Sequence, residues 1–99
     1  MEIDLSDRGV IVTGASSGIG RGIALQLASS GASVVVADIQ EEPRGTATPT
    51  HKVINERGGE ATFKQVDTSQ ESRVQDLVYE AAMFLDGIDG LVNNAGVHH

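Results

Sequence analysis

The sequence predicts an α/β protein: a doubly wound parallel sheet with helices on both faces. Three observations carry this. The apolar runs Val10-Ile11-Val12 and Val34-Val35-Val36 lack alternation, as strands covered on both sides do. Segments with helical spacing of apolar residues separate such runs, so strand and helix alternate. A glycine-rich stretch, Gly14-Ala15-Ser16-Ser17-Gly18-Ile19-Gly20, joins the first strand to the first helix. Such a turn aims backbone N–H groups and the positive end of a helix at whatever lies above it, which suits phosphate.

The elements follow in order. The first strand is expected over Gly9 to Thr13. The first helix runs from Gly18 to Ser30, with Ile19, Ile23 and Leu27 on its buried stripe and Gly31 as its stop. Ser33 to Ala37 forms the second strand, and a polar loop fills 39–47. Thr48 then caps a short helix with Pro49 in its first position, ending at Gly58-Gly59. The third strand, Ala61 to Val66, includes Thr62, Lys64 and Gln65, a polarity that suits a sheet edge. A third helix spans Ser69 to Asp86, with Val74, Leu77, Val78, Ala81 and Leu85 on one face. Thr68 with Glu71 forms a capping box there, and Ser69 is the alternative cap. Gly87 ends that helix, and the fourth strand is Ile88 to Asn93.

Right-handed crossovers put the first two helices on one face of the sheet. The third helix returns past the first strand and covers the other face, so the strand order is 3-2-1-4. In a Rossmann-type sheet of this kind, ligands lie above the strand C-termini where the order reverses. The glycine loop, Asp38, Asp67 and Asn93-Asn94-Ala95-Gly96 all end strands on that edge.

Composition removes several function classes. The 99 residues make one small domain, 1–99, with no cysteine, hence no disulfide and no thiolate nucleophile. Fourteen acidic against seven basic residues give a formal charge of −7, which opposes nonspecific nucleic-acid binding. No apolar run approaches the roughly 20 residues that cross a bilayer. The first residues are acidic where a signal peptide is basic, so a cytoplasmic protein is expected. The adjacent His98 and His99 lack a third ligand and read as a tag remnant or chance rather than a metal site.

The glycine spacing is not that of a P-loop, which needs a lysine after its last glycine; Arg21 stands there. A tight turn without a ligand is the plain alternative to a phosphate cradle, and the position between strand and helix favours the cradle. A Cβ at Gly18 is expected to strike backbone or ligand. With Thr13 ahead of it, the stretch resembles the TGxxxGIG motif of the short-chain dehydrogenase/reductase family, and Asn93-Asn94-Ala95-Gly96 resembles that family's NNAG motif. The resemblance covers nearly the whole chain. It implies that Gly14, Ser16, Ser17, Gly18, Ile19 and Gly20 line the adenosine-phosphate side, and that Asp67 and Thr68 touch adenine. It further implies that Asn94 braces the sheet while Asn93, Ala95 and Gly96 pass beside the cofactor.

Asp38, closing the second strand, is expected to accept both ribose hydroxyls and to repel a 2′-phosphate. NADP-preferring relatives usually carry a basic residue where this chain has Ser17 or Ile39. NAD is therefore the expected cofactor; Arg44 in the following loop keeps NADP open. The family's catalytic serine and Tyr-x-x-x-Lys pair have no counterpart here. The one tyrosine, Tyr79, is followed four residues on by Met83, and the two form a half-exposed helix edge. No residue of this chain is thus expected to be catalytic. The resemblance implies an intact homo-oligomeric oxidoreductase moving hydride between an alcohol and a carbonyl, of which these residues are the cofactor-binding half. A standalone dinucleotide-binding module is the alternative; the stop just after NNAG favours a fragment.

Overall fold

The computed structural model describes residues 4–41, 48–67, 71–85 and 87–94. In chain order the elements are β1 (Gly9–Thr13), α1 (Gly18–Ser29), β2 (Ser33–Asp38), α2 (Thr50–Glu56), β3 (Glu60–Gln65), α3 (Glu71–Phe84) and β4 (Gly90–Asn93). All pairings are parallel and the strand order is β3-β2-β1-β4, as the crossover argument requires.

The two apolar runs show why. Val10, Val12, Val34 and Val36 pack with Ala24 of α1 and Ile54 of α2. Their neighbours Ile11, Val35 and Ala37 point the other way, onto Leu77, Ala81 and Leu85 around α3. Successive strand residues face opposite sides of the sheet, so both sets must be apolar when both faces are covered. Ile11 and Val35 are fully buried. Each such side chain contributes about 1.5–3 kcal/mol on leaving water. β3 lies at the edge, where its polar residues were expected.

Five expectations are corrected. The short helix starts one residue later than the proline rule suggests. Pro49 has φ −52° and ψ 144°, an extended conformation, and serves as the cap, so Thr50 is the first helical residue. β4 is shorter than Ile88 to Asn93. The Asp89 carboxylate accepts the Gly9 N–H at 2.8 Å, in place of a backbone carbonyl, and the ladder begins only at Gly90. Ile19 is 76% exposed rather than on the buried stripe of α1. The first turn of that helix faces the sheet through Gly20, and Ala24 continues the contact. Val78 is also exposed, because it lies at the margin of the buried line Leu77, Ala81 and Leu85, about 60° around the helix from Ala81. Tyr79 and Met83 are more exposed than a half-buried edge. The capping candidates Thr68 and Ser69 lie outside the described residues.

Gly9 begins β1 against the turn before β4. A Cβ there would sit 2.6 Å from the Gly87 carbonyl oxygen and 2.9 Å from Leu85 Cβ. A backbone oxygen cannot swing aside, so Gly9→Ala is expected to destabilise by about 1–3 kcal/mol. Urea denaturation checks this; an unchanged midpoint would contradict the packing described.

Candidate functional site

Every strand ends at the same edge of the sheet, and the predicted residues that the structure describes gather there. Thr13 is paired with Ala37 of β2 on one side and Asn93 of β4 on the other. Its buried hydroxyl lies 3.1 Å from Asn93 Oδ1 and 3.3 Å from the Val92 carbonyl, so its proton ties the end of β1 to the end of β4.

The chain then turns sharply. Gly14 has φ 64° and Gly18 has φ 59°, the left-handed region that glycine enters without strain. The Ser17 side chain makes no cap bond to the helix, and the first turn of α1 carries no acidic residue. The helix thus presents its N-terminal N–H groups without an acidic side chain of its own turn to oppose their dipole. A Cβ built on Gly18 meets no atom of the chain within 4 Å. The expected collision with backbone is therefore absent: Gly18 faces open space, and its demand is the positive φ.

Gly20 is where space runs out. A Cβ there would overlap the Gly14 carbonyl oxygen and come within 2.7 Å of Asn94 Nδ2. Asn94 in turn donates from Nδ2 to that same Gly14 oxygen at 3.3 Å. The turn after β1, the start of α1 and the end of β4 are thus locked around one carbonyl.

Asp38 stands at the tip of β2, half-buried, with each carboxylate oxygen receiving a backbone N–H. Ser16 N donates to Oδ2 at 3.0 Å and Ile39 N donates to Oδ1 at 2.7 Å. Two such charge-assisted bonds fix the direction of a carboxylate and leave lone pairs for further donors. Ser16 is fully enclosed and its hydroxyl donates to the Gln40 carbonyl at 2.7 Å, so the loop after β2 is pinned to the glycine loop. Gln65 Nε2 holds the Ile39 carbonyl from β3 at 3.1 Å. Ile39 itself is exposed beside Asp38, as Ile19 is at the mouth of α1. Asp67 follows β3 on this edge and is half-buried. Thr68, Ala95, Gly96 and Arg44 lie outside the described residues, as do His98 and His99.

Sequence reasoning missed two contributors. Thr50, the first residue of α2, is buried and donates to the Ala15 carbonyl at 2.8 Å. Arg21 Nη1 donates to the Thr50 oxygen at 3.0 Å. No motif spacing links Thr50 to a loop 35 residues earlier. The available signal was a hydroxyl residue one turn before Ile54, where an apolar residue would serve packing equally well. Next to it, His51 Nε2 lies 3.1 Å from Glu41 Oε2. Among the described residues no group of three or more His, Cys, Asp and Glu side chains is placed to hold a metal. No helix is long and apolar enough to cross a membrane, again among the described residues.

Comparison with known proteins gives a consistent result. The family model for short chain dehydrogenase matches residues 8–99. The 2,5-dichloro-2,5-cyclohexadiene-1,4-diol dehydrogenase of Sphingobium indicum is 43% identical over 94 residues, covering 95% of this chain and 35% of that protein. The L-2,3-butanediol dehydrogenase of Corynebacterium glutamicum is 39% identical, covering 88% and 33%. The crystal structure of a hydroxysteroid dehydrogenase from Escherichia coli superposes with a TM-score of 0.83 at 35% identity, over 95% of this chain and 39% of that one. The chain therefore spans about a third of the length of the curated relatives it matches.

The two glycines of the loop are expected to respond differently to alanine. Alanine favours a helix interior over glycine by about 1 kcal/mol, so a mild effect at Gly20 would mean that the overlap with Gly14 is harmless. Gly20→Ala is expected instead to destabilise by more than about 2 kcal/mol. Gly18→Ala should cost only the left-handed conformation, about 1–2 kcal/mol. Equilibrium unfolding of both variants decides, and the reverse ranking would refute the assignment.

Proposed function

The chain belongs to the short-chain dehydrogenase family, and from that premise we propose that its strand-end crevice holds the adenosine and pyrophosphate of NAD(H) for hydride transfer between an alcohol and a carbonyl. The observation that carries this reading is the pre-aimed Asp38 carboxylate beside a glycine loop and an open helix N-terminus. The open space over Gly18 fits a phosphate approaching the first turn of α1, where a Cβ would stand in its way. The chemistry supplied by a bound nicotinamide dinucleotide is acceptance and donation of hydride.

In this reading the work of these residues is binding and orientation. The first-turn N–H groups of α1 face the pyrophosphate, with Gly14, Ser17 and Gly18 shaping the approach. Asp38 accepts from the ribose hydroxyls. Its fixed negative charge disfavours a 2′-phosphate, so NAD is preferred to NADP. Ile19 and Ile39 supply apolar contact, Asp67 and Thr68 are assigned to adenine, and Asn93, Asn94, Ala95 and Gly96 are assigned to the flank of the cofactor. Acid–base catalysis is assigned to no residue of this chain; Tyr79 is exposed on α3, with Met83 rather than lysine one turn on. The intact protein is read as a cytoplasmic oxidoreductase acting on a small alcohol or carbonyl compound.

Calorimetric titration with NAD and NADP tests the proposal. Charge-assisted hydrogen bonds contribute about 1.5–3 kcal/mol, or roughly one to two decades of affinity. NAD is expected to bind at least tenfold more tightly than NADP. Asp38→Asn keeps an acceptor for the Ser16 N–H but removes the charge, so it should weaken NAD and strengthen NADP. Equal affinity of the unmutated protein for the two cofactors would overturn the reading.

A further inference from the structure

The peptide between Ala15 and Ser16 is gripped at both ends by different elements. Its N–H donates to Asp38 Oδ2 at 3.0 Å, and its carbonyl oxygen accepts from the Thr50 hydroxyl at 2.8 Å. The same hydroxyl accepts from Arg21 Nη1 at 3.0 Å, so its one proton is directed to the Ala15 carbonyl and not to the guanidinium. Thr50 is 1% exposed. A threonine buried at this depth needs its hydroxyl bonded, and valine would fill the same volume without that need. What the hydroxyl adds is orientation of one peptide plane.

That orientation reaches Asp38. The peptide is planar, so tilting its carbonyl away from α2 must swing its N–H away from Asp38. Asp38 would keep the Ile39 N–H on Oδ1 and lose its hold on Oδ2. Two neighbouring ties on the loop do not replace this one. Ala15 N reaches the Ala37 carbonyl at 3.3 Å, and Ser16 Oγ reaches the Gln40 carbonyl, but neither acts on the carboxylate.

We propose that Thr50 is a positioning residue for the Asp38 carboxylate and, through it, sets the discrimination between NAD and NADP. The proposal rests on the dinucleotide reading above. It assigns a role in specificity to the start of α2, whose next residue, His51, meets Glu41 in the loop after β2.

The test is calorimetric titration of the protein and its Thr50 variants with both cofactors, with thermal melting alongside. Thr50→Val keeps the shape and removes the hydroxyl. Thr50→Ala removes it without any chance of overfilling the site, and is the second arm should valine disturb folding. Thr50→Ser retains the donor. Loss of the hydroxyl is expected to weaken NAD binding about fivefold and to narrow the preference for NAD over NADP about threefold, while serine restores both. In an Asp38→Ala background, Thr50→Val should leave the ratio of the two affinities unchanged, since the carboxylate it positions is gone. A loss that is equal for both cofactors, or an unchanged ratio in Thr50→Val and Thr50→Ala, would show a merely structural role and overturn the proposal. Failure of serine to restore the ratio would do the same. If the unmutated protein binds neither dinucleotide, the underlying functional reading falls, an outcome distinct from NAD-selective binding that ignores Thr50.

Discussion

Coverage of the sheet on both faces is the constraint on which this structure depends. Once α1 and α2 occupy one face and α3 the other, the centre of the sheet around β1 and β2 is closed to a ligand on both faces. β1 and β2 are paired on both sides, so their polar backbone groups are left to meet a ligand at the ends of the strands. The parallel arrangement sends all four strands in one direction, so their C-terminal loops share an edge. Gly14, Asp38, Asp67 and Asn94 are far apart in sequence and adjacent there for that reason alone.

The polar groups buried in the chain follow the same logic. Thr13, Ser16 and Thr50 are the buried polar side chains among the described residues. Each hydroxyl ties the β1 end or the glycine loop to a different neighbour: Thr13 to β4, Ser16 to the loop after β2, and Thr50 from α2. A buried hydroxyl is tolerated only when bonded, and its bond has a direction that an apolar contact lacks. The apolar layers fix where the helices lie. The three hydroxyls fix how the loop sits between them.

The parts of this arrangement that were legible in the sequence are those set by local pattern. Unalternating valines announce a two-sided strand, and the interval between glycines announces the turn. Chain order together with crossover handedness then fixes the sheet order. Thr50 was not legible, because its meaning comes from a contact with Ala15 that no periodicity encodes. The start of β4 was missed because the Asp89 carboxylate replaces a backbone acceptor, a substitution only three-dimensional register reveals. Ile19 was misplaced for a related reason. Helical spacing identifies a stripe, but not the point at which the helix overhangs the sheet and its apolar residue meets the crevice instead of the core.

The glycine loop also divides its labour electrostatically. A turn rich in N–H groups attracts anions indiscriminately, and NAD carries its negative charge on the pyrophosphate, whereas NADP adds a phosphate on the ribose. In the reading proposed above, the ribose side is occupied by the protein's own anion. Asp38 takes the Ser16 and Ile39 N–H groups, and in doing so turns a donor-rich pocket into an acceptor. The first turn of α1 has no acidic residue, so its N-terminal dipole keeps its attraction for phosphate. One loop thereby offers an acceptor at one end and donors at the other, the order in which ribose hydroxyls and phosphates occur along a dinucleotide. Replacing Asp38 by alanine, which has no side-chain acceptor, would free the Ser16 and Ile39 N–H groups. In the proposed reading, specificity depends on which N–H groups the chain satisfies internally, as well as on the charge that it presents.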